Sequence, residues 1–181
     1  MPPPFWAFPW AGGQALARYL LDQPGSVRGR VVLDLASGSG LVAIAAAVAG
    51  AASVTPSDTD PLAVAAITLN AGVNRVRLEP TVGDLLGPPG QGQPESGQHV
   101  SAPVRPDVVL VGDAFYDRDM AARLLPFLER ASQAGALVLV GDPGRAYLPR
   151  DRFIQVAAYD VPVQRVIEDA DVKPSTVWRL R

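Results

Sequence analysis

The stretch that decides the fold is VVLDLASGSG, residues 31–40. Its first five residues form a short apolar run that ends in a glycine loop, as expected of a buried parallel strand. The Ala-rich segment 41–49 follows at once and predicts a helix. Gly38 and Gly40 permit positive φ and a close approach of a ligand to the backbone, and the first turn of the helix offers unpaired N–H groups. The stretch therefore predicts a strand–loop–helix unit with a ligand at the loop.

The same alternation continues along the chain. Predicted strands cover 31–35, 53–57, 76–82, 107–111, 136–140, 152–158 and 176–180, and predicted helices cover 12–21, 41–49, 61–71 and 117–131. Gly72 is expected to end the third helix. The pattern predicts a Rossmann-like, doubly wound α/β fold, with a mostly parallel seven-stranded sheet and helices on both faces. Because no long helix separates the last two strands, we expect an antiparallel addition at one edge.

The length of 181 residues fits one domain, 1–181. Residues 1–25 are expected to form an N-terminal helical segment. Residues 87–106 are rich in Gly, Pro, Gln and Ser and lack periodicity, which predicts a flexible surface insertion.

Composition excludes several function classes. The chain has no cysteine, so it has no disulfides, thiolate nucleophiles or Cys-ligated metals, and no metal is expected. Its single histidine, His99, lies in a polar stretch unsuited to a catalytic triad. A net charge of −2 without a basic block argues against duplex nucleic acid. The N-terminus lacks signal-peptide features and residues 41–52 are too short to span a bilayer, so we expect a cytoplasmic monomer without a membrane partner.

Asp34 distinguishes between possible ligands of the glycine loop. No glycine stands three residues after Gly40, which weakens the case for a dinucleotide. An acid four residues before Gly38 would repel a pyrophosphate and suit a cationic ligand such as S-adenosylmethionine, which carries an ammonium and a sulfonium. A strand-end aspartate that caps a neighbouring loop is the alternative.

Three more acids follow the next three strands. Asp58 could accept both hydroxyls of a ribose, while Asp60 is expected to cap the following helix. Asp84 could accept from an adenine amine with Leu85 against the ring, or could simply belong to a turn. Asp113 follows the fourth strand. Because parallel strands end at one edge of a sheet, these acids are expected to form one constellation with Asp34.

These motifs resemble those of class I methyltransferases from about residue 31 to residue 140. A closer resemblance, to the lysine methyltransferases of the electron-transfer flavoprotein β-subunit, lies in FWAFPWAGGQALARYLLD (5–22), GDAFYD (112–117), GDPGRAYLP (141–149) and the tail 159–180. It implies an S-adenosylmethionine-dependent N-methyltransferase that acts on a protein lysine. Small-molecule (nicotinamide-like) and ribosomal-protein substrates remain open. Pro56 departs from the family pattern and predicts an early end of the second strand.

The resemblance also implies roles for individual residues. Trp10 would pack near the cofactor, and Asp113 and Tyr116 would be the candidate catalytic residues that face the methyl group and the nucleophile. The implied cofactor-binding set is Trp10, Asp34, Ala36, Ser37, Gly38, Gly40, Asp58, Thr59, Asp84, Leu85 and Asp113. An oxidoreductase and a non-catalytic scaffold are the rival classes, weakened by the missing third glycine and by the presence of Asp34 and Gly38. Arg145 could dock an acidic partner, or could be a solvated loop residue.

Overall fold

The computed structural model describes residues 4–87 and 105–181. Its strands are β1 (Val31–Leu35), β2 (Ser53–Asp58), β3 (Thr81–Val82), β4 (Val108–Gly112), β5 (Leu137–Asp142), β6 (Phe153–Pro162) and β7 (Val172–Leu180). Its α-helices are α1 (Ala11–Asp22), α2 (Leu41–Val48), α3 (Pro61–Val73), α4 (Arg118–Gln133) and α5 (Arg165–Glu168). No helix of the described ranges combines the length and the apolar character that crossing a membrane requires.

The strands form one seven-stranded sheet in the order β3-β2-β1-β4-β5-β7-β6. The first five strands are parallel, and β7 runs antiparallel to both β5 and β6. The Rossmann-like, mostly parallel sheet and its antiparallel edge are therefore confirmed. β1 lies next to both β2 and β4, so the strand order reverses there, which is where α/β sheets of this kind open a crevice for a ligand.

The sheet is covered by helices on both faces, and its central strands are apolar at nearly every position, with Asp34 of β1 and Asp142 of β5 at their carboxyl ends. On one face α1 and α2 pack against Val32, Val108 and Leu110. On the other face α4 packs against residues of opposite parity, such as Val109 and Val111. Side chains of a strand alternate between faces, so a strand buried on both sides must be apolar at nearly every position.

Two predictions about element boundaries need correction, those for the third strand and for the end of the third helix. The third strand is shorter than the predicted 76–82, because the segment before Thr81 follows β2 with a single bond, from the Glu79 N–H to the Val54 carbonyl. Gly72 does not end α3, which continues to Val73 and stops where Arg75 adopts a left-handed φ of 55°. The predicted insertion, residues 87–106, lies mostly outside the described residues.

Pro56 does not shorten β2, contrary to the prediction. The carbonyls of Val54 and Asp58 accept from Glu79 and Gly83, on the side of β3. Hydrogen-bonding direction alternates along a strand, so the Pro56 nitrogen also points toward β3. Its missing N–H therefore costs the ladder between β1 and β2 nothing, and Pro56 pairs in register with Asp34.

Candidate active site

A cavity of about 530 Å³ opens at the edge of the sheet where β1 to β4 end. The predicted site residues that line it are Trp10, Asp34, Ala36, Ser37, Gly38, Asp58, Thr59, Asp84, Leu85, Asp113 and Tyr116. The predicted constellation of four strand-end acids is therefore brought together. Gly40 is not among the lining residues. It begins α2 with φ of 88°, and a Cβ there would lie 3.2 Å from the Ile67 side chain, so it serves the turn and the packing.

The glycine loop is pinned between Asp58 and the N-terminal segment. Gly38 has a left-handed φ of 57°, and a Cβ there would lie 2.9 Å from the Trp6 carbonyl oxygen. Its N–H donates to Asp58 Oδ2 at 2.9 Å, and the Asp60 N–H donates to Asp58 Oδ1 at 3.0 Å. Each Asp58 oxygen keeps a further lone pair, so the carboxylate can still accept from a pair of hydroxyls.

Asp34 is a buried acid with one unsatisfied oxygen. Its Oδ2 accepts from Ser37 Oγ at 2.5 Å, while Oδ1 has no hydrogen-bond partner among the described residues. The residue is 1% exposed. Burial, with a smaller contribution from the Asp58 charge, raises the pKa of this carboxyl from 3.8 to about 7, against lowering effects of the Ser37 hydroxyl and the Ala43 backbone N–H. A buried acceptor beside a cavity is costly unless a donor arrives, and a cationic donor fits best.

The far end of the cavity contains a pair that sequence reasoning missed. Arg123 of α4 contacts the Asp84 carboxylate, and its Nε donates to the Gly87 carbonyl at 3.0 Å. The Leu86 N–H donates to Asp84 Oδ1 at 3.0 Å, which fixes the turn that carries Leu85. Nothing in the sequence linked position 123 to position 84, because the contact depends on how α4 crosses the sheet.

At the opposite end Asp113 lines the cavity, yet its carboxylate is already engaged. Asp113 is a non-glycine residue with φ of 62°, a conformation that costs energy and is common at functional sites. Its Oδ2 accepts from the Gly12 N–H at 2.9 Å and its Oδ1 accepts from Arg145 Nε at 2.6 Å. Tyr116 stands exposed at the rim, and partial burial raises the pKa of its phenol above 10.0, so the hydroxyl stays neutral.

Arg145 belongs to a cluster of charges around the start of α1. Its Nη2 lies 3.5 Å from Glu168 Oε2, and Lys173 Nζ lies 2.6 Å from that same oxygen. Glu168 Oε1 accepts from the Ala11 N–H at 3.0 Å. Burial alone would raise the pKa of Glu168, but the Lys173 and Ala11 hydrogen bonds and the charge of Arg145 lower it below 4.5. Glu168 ends the four-residue helix α5 and Lys173 is the second residue of β7, and sequence reasoning singled out neither because no local pattern links them to Asp113 or Arg145.

Residues 5–10 form what we call the aromatic wall of the cavity. Trp10 holds it together: its Nε1 donates to the Phe5 carbonyl at 2.8 Å, and its ring centroid lies 5.8 Å from that of Phe8. The Arg145 guanidinium carbon lies 5.6 Å from the centroid of the Trp10 ring. The wall leads directly into α1, so the position of α1 sets the position of the wall.

The start of α1 is fixed by a close backbone contact between two glycines and by hydrogen bonds to its first N–H groups. A Cβ on Gly12 would lie 2.5 Å from the Gly141 carbonyl oxygen, so α1 touches the end of β5 backbone to backbone. The Ala11 and Gly12 N–H groups, which no intrahelical carbonyl satisfies, instead donate to the Glu168 and Asp113 carboxylates. In the described ranges, no group of three His, Cys, Asp or Glu side chains is arranged as metal ligands would be.

Comparisons with known proteins agree with this geometry. The family model described as ribosomal protein L11 methyltransferase (PrmA) matches residues 15–96. The electron transfer flavoprotein beta subunit lysine methyltransferase of Rattus norvegicus is 39% identical over 180 residues, covering 97% of this chain and 66% of that protein. The Xenopus laevis protein of the same description is also 39% identical, over 97% of this chain and 68% of its own length.

The fold is likewise found in solved structures. The ribosomal protein L11 methylase of Lactobacillus delbrueckii subsp. bulgaricus superposes with a TM-score of 0.63 at 18% identity, covering 97% of this chain and 82% of its own. The chain spans about two thirds of the length of the curated relatives that it matches. Its similarity to them extends over both ends of the cavity, and the chain belongs to the family of the electron transfer flavoprotein beta subunit lysine methyltransferases.

Proposed function

We propose that this protein is an S-adenosylmethionine-dependent N-methyltransferase that modifies a lysine of a protein resembling the electron transfer flavoprotein β subunit. The observation that carries the proposal is the 39% identity to lysine methyltransferases over 97% of the chain. That alignment includes the glycine loop as well as the Asp113 and Arg145 end of the cavity. A cytoplasmic location and a monomeric state stay predictions from the sequence.

The residues of the cavity fit this cofactor. Asp34 offers a buried, unpaired oxygen to an ammonium, and the left-handed glycine loop exposes backbone beside it. Asp58 keeps lone pairs for ribose hydroxyls, and Asp84 with Leu85 would hold the adenine. When bound, S-adenosylmethionine supplies a methyl group activated by its sulfonium. A volume of about 530 Å³ is in the range of pockets that enclose such ligands.

The protein's own contribution is alignment and exclusion of water. Bringing two reacting atoms into line removes most of the entropic barrier to a displacement. The acceptor amine must also be neutral, although a free lysine has a pKa of about 10.4. The apolar aromatic wall disfavours an ammonium at this end of the cavity, and Arg145 offsets the Asp113 carboxylate that would otherwise favour one, so the pKa of an entering lysine is lowered. Tyr116 at the rim can accept from the amine through its neutral hydroxyl.

A second candidate substrate is a ribosomal protein. The L11 methyltransferase family model favours it, but the match covers residues 15–96, which carry the glycine loop, Asp58 and Asp84. Asp113, Tyr116 and Arg145 lie beyond the match. The family-model match therefore supports binding of the cofactor more than it identifies the methyl acceptor.

The test is transfer of label from radiolabelled S-adenosylmethionine to three separate acceptors: electron transfer flavoprotein, ribosomal protein L11 and free nicotinamide. We expect label on the flavoprotein β subunit with wild type and none with Asp34→Ala. Asp22→Ala, a surface aspartate paired with Arg18 outside the cavity, is the matched control and is expected to remain active. Label on L11 or nicotinamide alone would replace the proposed acceptor, and no measurable cofactor binding would refute the proposed activity.

A further inference from the structure

Among the described residues that line the cavity, Arg145 is the one cation that pairs with Asp113. Its side chain is 22% exposed, so most of its charge is withdrawn from water. Such a charge is stable only with close partners. Arg145 has three partners: Asp113 at 2.6 Å, Glu168 at 3.5 Å and the face of the Trp10 ring.

These partners come from different parts of the chain. Asp113 follows β4, Glu168 ends the short helix between β6 and β7, and Trp10 stands directly before α1. The two carboxylates also bind the first N–H groups of α1. Arg145 therefore lies where the start of α1, the end of β4 and the aromatic wall meet.

We propose that Arg145 is a positioning residue for the methyl acceptor: it holds Asp113 and Trp10 in the relative places that admit the nucleophile to the cavity. The inference rests on the proposed function for its kinetic part. The physical reason is geometric, because a guanidinium is planar and can bond a carboxylate from its edge while its face lies on an aromatic ring. A lysine at this place would keep the charge and lose one of the two contacts.

Lys173 supplies a matched contrast. It donates to the same Glu168 oxygen at 2.6 Å, yet it does not line the cavity, and it has no hydrogen bond to Asp113. Removal of Lys173 takes one positive charge from the same cluster. If the cluster only stabilises the fold, Lys173→Met and Arg145→Met should behave alike.

The cofactor end of the cavity has its own arginine. Arg123 pairs with Asp84, on the opposite side from Asp113. If each arginine serves its own end, Arg123→Met should weaken cofactor binding, whereas Arg145→Met should weaken use of the acceptor. Asp34 and Asp58, the polar anchors proposed for the cofactor, form neither a hydrogen bond nor an ion pair with Arg145.

The experiment compares wild type with Arg145→Met, Arg145→Lys, Lys173→Met and Arg123→Met. The measured quantities are kcat/KM for purified electron transfer flavoprotein, Kd for S-adenosylhomocysteine by calorimetry, and Tm. For Arg145→Met we expect kcat/KM to fall by about a hundredfold, the effect of a small misplacement of reacting groups. Its cofactor Kd should stay within about threefold of wild type, because the proposed polar anchors Asp34, Asp58 and Asp84 stay in place and a shift of Trp10 changes only an apolar contact. Arg145→Lys, which retains the charge in case the Met variant does not fold, should show the same split with a smaller loss of Tm.

A second readout does not depend on the acceptor. The chain has three tryptophans, and Trp6→Phe with Trp178→Phe leaves Trp10 alone. In that background we expect acrylamide to quench Trp10 more strongly in both Arg145 variants than with Arg145 intact, and Lys173→Met to leave quenching unchanged. If wild type does not methylate the flavoprotein, the proposed function is wrong, and the quenching of Trp10 still tests whether Arg145 holds Trp10 in place. Unchanged quenching in the Arg145 variants, or a cofactor Kd that rises in step with the loss of kcat/KM, would overturn it.

Discussion

Asp34→Asn is the most informative single substitution, because it removes a buried ionisable group and nearly preserves its shape. Asn resembles the protonated acid: it can accept from Ser37 and place its amide where Oδ1 now stands unpaired. The pKa of Asp34 rises from 3.8 to about 7 on folding, through burial. Below about pH 3.8 Asp34 is mostly protonated in both the folded and the unfolded protein, and above about pH 7 it is mostly ionised in both. The folded protein therefore loses stability as the pH rises between these values.

The size of the effect follows from that difference. A change from 3.8 to about 7 corresponds to roughly 4 kcal/mol of unfolding free energy. The denatured chain is mostly ionised already at about pH 5, so about 3 kcal/mol of this remains to be lost between about pH 5 and about pH 9. Wild type should lose that much more than Asp34→Asn across the interval, with the change complete near pH 8.

Urea unfolding of both proteins at a series of pH values measures the quantity directly, because the free energy of unfolding is obtained from the midpoint and the slope. Titrating groups that do not interact with Asp34, such as the buried Asp142, contribute equally to both proteins and cancel in the difference. If the unfolding free energies of wild type and Asp34→Asn changed with pH in parallel, the raised pKa assigned to Asp34 would be refuted. S-adenosylhomocysteine supplies a second test: its affinity for wild type should fall as the pH drops below about 7, whereas its weaker affinity for Asp34→Asn should not.

Two further predictions concern the backbone contact at α1 and the ribose end of the cavity. A Cβ on Gly12 would meet the Gly141 carbonyl oxygen at 2.5 Å, so Gly12→Ala should destabilise the protein by about 1–3 kcal/mol, as overpacking does. Gly13→Ala, with its nearest contact at 3.9 Å, should be neutral or stabilising by up to about 1 kcal/mol, and equal midpoints for the two variants in urea would contradict the contact. Asp58→Asn weakens both the Gly38 hydrogen bond and the proposed diol contact, so cofactor Kd should rise by about tenfold or more, a change that calorimetry resolves. An unchanged Kd would place the ribose elsewhere.

The central sheet and the cofactor end of the cavity could be predicted because they depend on local pattern. Apolar runs fix β1 and β4, and acids placed directly after parallel strands must meet at one edge. The acceptor end depends on contacts between distant segments. The partners of Arg145 lie 23 to 135 positions away, and neither Glu168 nor Lys173 lies in a periodic or glycine-rich motif. The short β3 and the full-length β2 depend on which side of a ladder each N–H faces, which residue propensity does not encode.

The most direct test of the account is peptide mass spectrometry of electron transfer flavoprotein after incubation with this protein and S-adenosylmethionine. We predict that one or more lysines of the β subunit gain methyl groups with wild type and with Asp22→Ala, and that none does with Asp34→Ala. Methylation of ribosomal protein L11 alone would contradict the proposed acceptor. Unmodified acceptors, together with no calorimetric binding of S-adenosylhomocysteine, would contradict the proposed use of the cavity itself.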